Sequence, residues 1–196
     1  MHEPIYSEDA ELVSRIRCGN LDAFEALYHK YKWPLYQTAL AITGDQRAAE
    51  EILQDCFVRA YAALERVDAS TSLSPWLHRI VINLSANWLN RNRQFPSALN
   101  EWIDRLFAGS IISPEHVMEM FELRQAVREA IAGLSFKHRA TIVLFYLQGF
   151  TLPEIAYIFD CPVGTVKSRL HYACKALRKK LREDRRLAGE LIYGTS

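Results

Sequence analysis

Between Gly164 and Arg182 the chain sets small and cationic side chains at helical intervals: Gly164, Thr165, Lys167, Ser168, His171, Tyr172 and Lys175, then Arg178, Lys179, Lys180 and Arg182. Val166, Leu170, Ala173 and Leu177 fall on the opposite stripe and read as the inner face. Small residues at the start of a helix allow close approach to base edges, and the cations beyond them can neutralise phosphates. The plain alternative is a helical hairpin with a solvated basic face. The small residues, and a basic run from Lys167 to Arg182 without an acidic residue, favour contact with nucleic acid.

A second set lies along 76–93. His78, Arg79, Asn83, Asn87, Asn90, Arg91 and Arg93 share one side, and Trp76, Leu77, Ile80, Val81, Leu84, Trp88 and Leu89 the other. Asparagine and arginine offer donors and acceptors to bases and phosphates, and aromatics can stack on unpaired bases. Trp88 reads as a core residue. A third set is acidic: Glu50, Glu51, Gln54 and Asp55, with Arg59, opposite Leu53, Cys56, Phe57, Ala60 and Leu64. Such a stripe is either solvated or a docking face for a basic partner.

Chemistry that breaks bonds is not legible. The four cysteines, Cys18, Cys56, Cys161 and Cys174, form no C-x-x-C pair and read as reduced packing thiols. His171 and Cys174, three apart on a helix, are two ligands short of a metal site. Glu50, Glu51 and Asp55 lie on one helix with no second segment converging on them. The expectation is no catalytic residue, no metal and no cofactor.

The elements that must position these sets are helices throughout. Thr151 and Glu154 have capping-box spacing and open a helix whose apolar face is Leu152, Ile155, Ala156 and Phe159. Asp160 and Cys161 make a tight turn, Asp tolerating positive φ, and Pro162 and Val163 begin the second helix. Helix, turn, helix with a small and basic outer face is a helix-turn-helix. Upstream, Asp9–Arg17 reads as a short helix stopped by Gly19. Asn20 caps a helix with Phe24, Leu27, Tyr28, Tyr31, Leu35, Ala39 and Ile42 inside, which Pro34 is expected to kink or split. Asp45 caps Gln46–Arg66, and Ser74-Pro75 opens the helix through Arg93. Residues 119–131 and 137–147 are helical, ended by Gly133 and Gly149. The expected fold is all-α: two small helical domains over 1–93 and 119–186, an acidic linker over 94–118 with a short helix at Trp102–Phe107, and a tail over 187–196.

Bulk properties agree without adding much. The 196 residues are 49% hydrophobic and 24% charged, with a formal net charge of +1. The polar start is unlike a secretory signal and no stretch approaches a membrane span, so the expected location is cytoplasmic.

PVGTVKSRL, the AAEEILQDCFVRAY helix and the SPWLHRIVINLSANWLNRNR helix, in two domains with an acidic stretch between, resemble the extracytoplasmic-function (group IV) sigma factors of bacterial RNA polymerase. The resemblance implies a sigma-2 and a sigma-4 domain and a promoter-specificity subunit rather than an enzyme. It implies docking of Glu51, Gln54, Asp55 and Phe57 on core polymerase. Ser70, Thr71, Ser72, Trp76, Arg79, Asn83, Asn87 and Arg91 would open and read the −10 element. Pro162, Val163, Gly164, Thr165, Lys167, Ser168, Arg169, His171, Tyr172 and Lys175 would read the −35 element. Ile82 stands where an Arg is common. The partners implied are core polymerase, promoter DNA and an anti-sigma factor. A stand-alone regulator would need a sensing domain, and 20–93 has no receiver-like strand pattern.

Overall fold

The computed structural model describes residues 8–67, 72–92 and 117–184, the side chains of the last stretch from 121 onward. Ser70 and Thr71, Arg93, the acidic stretch up to 116 with its expected short helix, the start 1–7 and the tail 187–196 lie outside the described residues. Among those described there is no strand. The helices are α1 (Glu8–Arg17), α2 (Leu21–Thr43), α3 (Gln46–Ala63), α4 (Ser74–Arg91), α5 (Val117–Ala132), α6 (Phe136–Ile142), α7 (Leu152–Phe159) and α8 (Val163–Glu183). A 3₁₀ turn, Leu64–Arg66, follows α3. A π-helical turn, Val143–Leu147, continues α6.

Most boundaries follow local chemistry. Asn20 Oδ1 accepts from Ala23 N–H at 2.9 Å and Asp45 Oδ1 from Ala48 N–H at 2.8 Å, satisfying first-turn donors of α2 and α3. Gly44 ends α2 with φ 69°, a left-handed conformation that costs glycine little. Three expectations shift. α2 is neither split nor ended at Pro34. Proline removes one N–H, while Leu27, Tyr31, Leu35 and Ala39 on both sides of it are buried in one core, so packing holds the helix together. Ser74 is the first residue of α4 rather than its cap. Leu73 takes the cap position, held by its buried side chain and by its N–H bonding Asp9 Oδ2 at 2.7 Å. α5 begins at Val117, two residues inside the expected linker.

The core has two regions. In the first, α1, α2, α3 and α4 enclose Val13, Leu27, Leu35, Cys56, Phe57, Leu77 and Val81. In the second, α6, α7 and α8 enclose Ala140, Leu144, Phe150, Ile155, Ile158 and Val166. Ile42 of α2 and Ile82 of α4 belong to this second region, and Ala41 packs with Ile131 and Val143. The N-terminal and C-terminal helices therefore meet through a shared apolar layer, in which Ile82 is only 2% exposed. Burying one such side chain contributes about 1.5–3 kcal/mol.

Candidate nucleic-acid interface

The helix-turn-helix forms as its residues dictate. Thr151 Oγ1 accepts from Glu154 N–H, and Glu154 Oε2 accepts from Thr151 N–H at 2.8 Å, a complete capping box. Asp160 ends α7 at φ 50°, and Pro162 caps α8. α8 holds its apolar stripe inward, with Val166 and Ala173 buried. Val163, Gly164, Lys167, Ser168, His171, Tyr172 and Lys175 are exposed on one continuous face, as is Pro162, with Thr165 half-buried beside them. Arg178, Lys180 and Arg182 extend the positive charge along the helix, Lys179 pairing with Glu183 at 3.9 Å.

Two side chains of this face are already engaged. Ser168 donates its hydroxyl to Thr165 O at 2.9 Å, which leaves its lone pairs free to accept. Arg169 is drawn back over the turn, its guanidinium 5.1 Å from the Phe159 ring centre and 3.6 Å from Cys161 Sγ. It braces the turn more than it presents a donor. His171 and Tyr172 meet edge to face at 5.4 Å, a small aromatic step next to the cations. Cys174 lies 3.7 Å from the Tyr146 hydroxyl, and among the described residues no three His, Cys, Asp or Glu side chains are grouped to hold a metal.

On α4 the candidate residues divide. Asn83, Asn87 and Arg91 are exposed along one side. Trp76 and Trp88 are half-buried and pack against the first core. Ser72 is exposed just before the helix, and its hydroxyl accepts from the N–H of Ser74, the first residue of α4, at 3.2 Å. Arg79 is not free: it pairs with Asp160 at 3.2 Å, reaches the Tyr157 carbonyl at 3.4 Å and lies 5.6 Å from the Tyr157 ring centre. His78, on the side expected to face outward, is wholly buried against Phe150, with ring centres 4.8 Å apart. Burial pushes its pKa down to about 4, against the opposing pull of the Ser74 carbonyl.

On α3, Glu51, Gln54 and Asp55 are exposed together. Phe57, which the resemblance grouped with this face, is 5% exposed and packs against Phe24 and Tyr28 at the edge of the first core, on the inward side its helical period gives it. Its place on the outer face is taken by Val58, 70% exposed, one residue on.

Sequence reasoning missed Asp9. It is buried at the end of the first core, where it accepts from Tyr31 O–H, from Leu73 N–H and from Lys30 Nζ at 2.8 Å. Burial alone would raise its pKa, but these three donors together hold the carboxyl below its usual range. The consequence is positional: one carboxylate ties α1, α2 and the residue before α4, so it anchors the chain entering α4. Nothing in the local pattern EDAEL marks it, because its partners are 21 to 64 residues away.

Two family models match the chain, Sigma-70 region 2 over residues 27–95 and Sigma-70 region 4 over residues 124–177. The ECF RNA polymerase sigma factor SigW of Bacillus subtilis is 32% identical over 183 residues, covering 87% of this chain and 95% of that protein. The ECF RNA polymerase sigma-E factor of Escherichia coli is 34% identical over 182 residues, covering 88% and 94%. Among solved structures, CnrH in complex with the cytosolic domain of CnrY superposes with a TM-score of 0.69 at 25% identity, over 91% of this chain and 99% of that one. RpoE of Bartonella quintana, solved with the anti-sigma factor NepR, shares the fold at a TM-score of 0.60, 23% identity and 83% and 98% coverage.

Proposed function

The chain belongs to the extracytoplasmic-function sigma factors of RNA polymerase, and from that premise we propose how its residues divide the work of promoter-specific initiation. Residues 1–93 act as the sigma-2 domain, 94–118 as an acidic linker, 119–186 as the sigma-4 domain, and 187–196 as a tail. The protein binds core polymerase and promoter DNA and works in the cytoplasm as an initiation factor, without catalysis of its own. An anti-sigma factor holds it when it is not needed; among proteins of the same fold, the sigma factor RpoE of Bartonella quintana was solved in complex with the anti-sigma factor NepR. Among the described residues no helix is long and apolar enough to cross a membrane.

The exposed small and cationic face of α8 carries this reading. Gly164, Thr165 and Ser168 bring the helix backbone close to the major-groove floor of the −35 element. Lys167 and His171 reach base edges there, and Lys175 and Arg178 reach phosphates. Tyr172 adds an aromatic edge. Asn83, Asn87, Arg91 and the Ser72 loop receive the opened −10 strand, with Trp76 as the aromatic wall. A base taken out of the stack costs a few kcal/mol, so contacts on this surface must return it. Glu51, Gln54 and Asp55, with Val58 rather than Phe57 at their centre, form the docking face for core polymerase. The negative charge of the linker suits a basic channel in the polymerase.

In vitro transcription with cognate core polymerase on a genomic library, mapping start sites, tests the whole. The expected result is initiation from a shared pair of elements. Initiation that does not depend on added protein, or tight duplex binding by the free protein with no initiation, contradicts it.

A further inference from the structure

The π-helical turn brings to α8 one polar side chain that the contacts proposed above leave out. Tyr146 is 56% exposed, and its hydroxyl is turned toward α8, 3.7 Å from Cys174 Sγ. The Phe145 ring meets it edge to face at 4.9 Å. The backbone beneath is fixed. Val143 and Leu144 are buried, Gln148 N–H donates to the Val143 carbonyl at 3.2 Å, and Phe150 N–H to the Leu144 carbonyl at 3.1 Å. Single π turns are rare and frequent at functional sites. Across from Tyr146 runs one stripe of α8, Lys167, His171, Lys175 and Arg178, at intervals of four, four and three residues. The two banks enclose an open groove of about 1140 Å³. The carboxylate that lines it, Glu183, pairs with Lys179 at the far end.

A major groove is about 12 Å wide, and the stripe is ~16 Å long at ~1.5 Å per residue. With Lys167 and His171 over base edges, Lys175 and Arg178 lie at the rim of the groove, where the phosphates run. Tyr146 stands level with Cys174, between His171 and Arg178, at that same rim. A thiol is a weak acceptor, so the phenol proton is not committed to Cys174. A tyrosine that only packed there would gain little from a hydroxyl left 3.7 Å from sulfur. The Cys174 contact and partial burial raise the phenol pKa above its ordinary value, against the pull of Arg178, so at neutral pH the group is an O–H donor. A donor on a braced ring suits a phosphate oxygen. The bond is charge-assisted, and less rotamer freedom is lost than with lysine or arginine.

We propose that Tyr146 is a phosphate-contacting residue of the duplex interface: its hydroxyl donates to one phosphate of the strand bordering α8, and so sets the depth and register at which Lys167, Ser168 and His171 meet base edges. The proposal rests on the assignment of α8 to the −35 element given above. A backbone contact carries no sequence information of its own, so Tyr146 acts alike on every promoter the protein reads. Its place in the apolar run Ile142–Leu147 hides it from the sequence, where it reads as one more core aromatic. The tertiary structure turns it out of that run and across the groove from the cations.

Tyr146→Phe tests this, because it keeps the ring and its Phe145 contact and removes only the donor; circular dichroism should show an unchanged fold. Polymerase reconstituted with the full chain is titrated, by fluorescence anisotropy, onto a promoter mapped in the transcription experiment above. The −35 duplex carries a neutral methylphosphonate at one position at a time. On unmodified DNA, Tyr146→Phe should bind about tenfold more weakly than unaltered protein. On DNA neutralised at one particular phosphate that difference should shrink to within about twofold, the coupling expected of a direct contact. The slope of log K against log salt should stay unchanged, since no cation is lost. Affinity within about twofold of unaltered protein on unmodified DNA, or a loss that persists whichever phosphate is neutralised, overturns the contact and leaves α8 as the reader. Binding by unaltered protein that does not depend on the −35 element overturns the function proposed above, and the contact with it.

Discussion

At the level of single residues, two buried ionisable groups set how the protein responds to acid. His78 is buried neutral between the Ser74 carbonyl and hydroxyl of its own helix and the Phe150 ring. Its folded-state pKa, about 4, lies below the 6.5 of an unfolded histidine. Protonation therefore favours the unfolded or opened chain. The stability is fully present above pH 6.5 and is lost as pH falls toward 4, in total on the order of 3 kcal/mol. Urea melts at pH 7, 6 and 5 should show that decline, and His78→Leu should flatten it. Asp9 acts in a lower window. Its depressed pKa means its contribution is lost only as pH falls below the ordinary carboxylate range. Asp9→Ala strands the Leu73 N–H and the Tyr31 hydroxyl, and should cost about 2–3 kcal/mol. That corresponds to a melting midpoint about 5–10 °C lower, read by circular dichroism. Neither role is visible in the local sequence. His78 sits on a face otherwise populated by exposed Asn and Arg, and Asp9 lies in an ordinary first turn.

At the level of elements, the helix-turn-helix is the part most nearly spelled out by its own residues. The Thr151–Glu154 box, the left-handed Asp160 and the Pro162 cap all arise from contacts within a few positions, so they survive any tertiary arrangement. Thr151→Ala should lose about 1 kcal/mol of stability, measurable in a denaturant titration. On α8, Lys167→Ala and Ser168→Ala should each weaken −35 binding by about 1–3 kcal/mol in footprinting of the polymerase complex. Lys175→Ala should act differently, lowering affinity for all sequences and reducing the slope of log K against log salt by about 0.9. On α3, Gln54→Ala with Asp55→Ala should weaken a pull-down of core polymerase while the circular dichroism spectrum stays unchanged, since both side chains are exposed. The helical period places Phe57 inside as well as beside this acidic face. Val58, an apolar residue left on the surface, was the available signal for the outer position.

At the level of the whole molecule, the decisive feature is the apolar layer that joins the halves. Ile42 looks like an ordinary core position of α2, whereas Ile82 falls outside the apolar side read for α4 and Ile158 outside that read for α7. In the structure the three meet one another across the boundary between halves. Ile82→Ala empties part of this layer and should cost about 2–4 kcal/mol, read as a lower midpoint in a urea melt of the intact protein. The sequence alone determined the all-α class, most helix limits to within two or three residues, the helix-turn-helix with its basic outer face, and membership of a family. Each depends on periodicity, capping and turn chemistry, which act over a few residues. Only the tertiary structure decided which apolar residues serve the layer between halves, that Arg79 is clasped rather than free, and that Asp9 anchors the entry to α4. Those follow from contacts between positions 64 to 81 apart, and no local pattern encodes which distant partner a buried group will find.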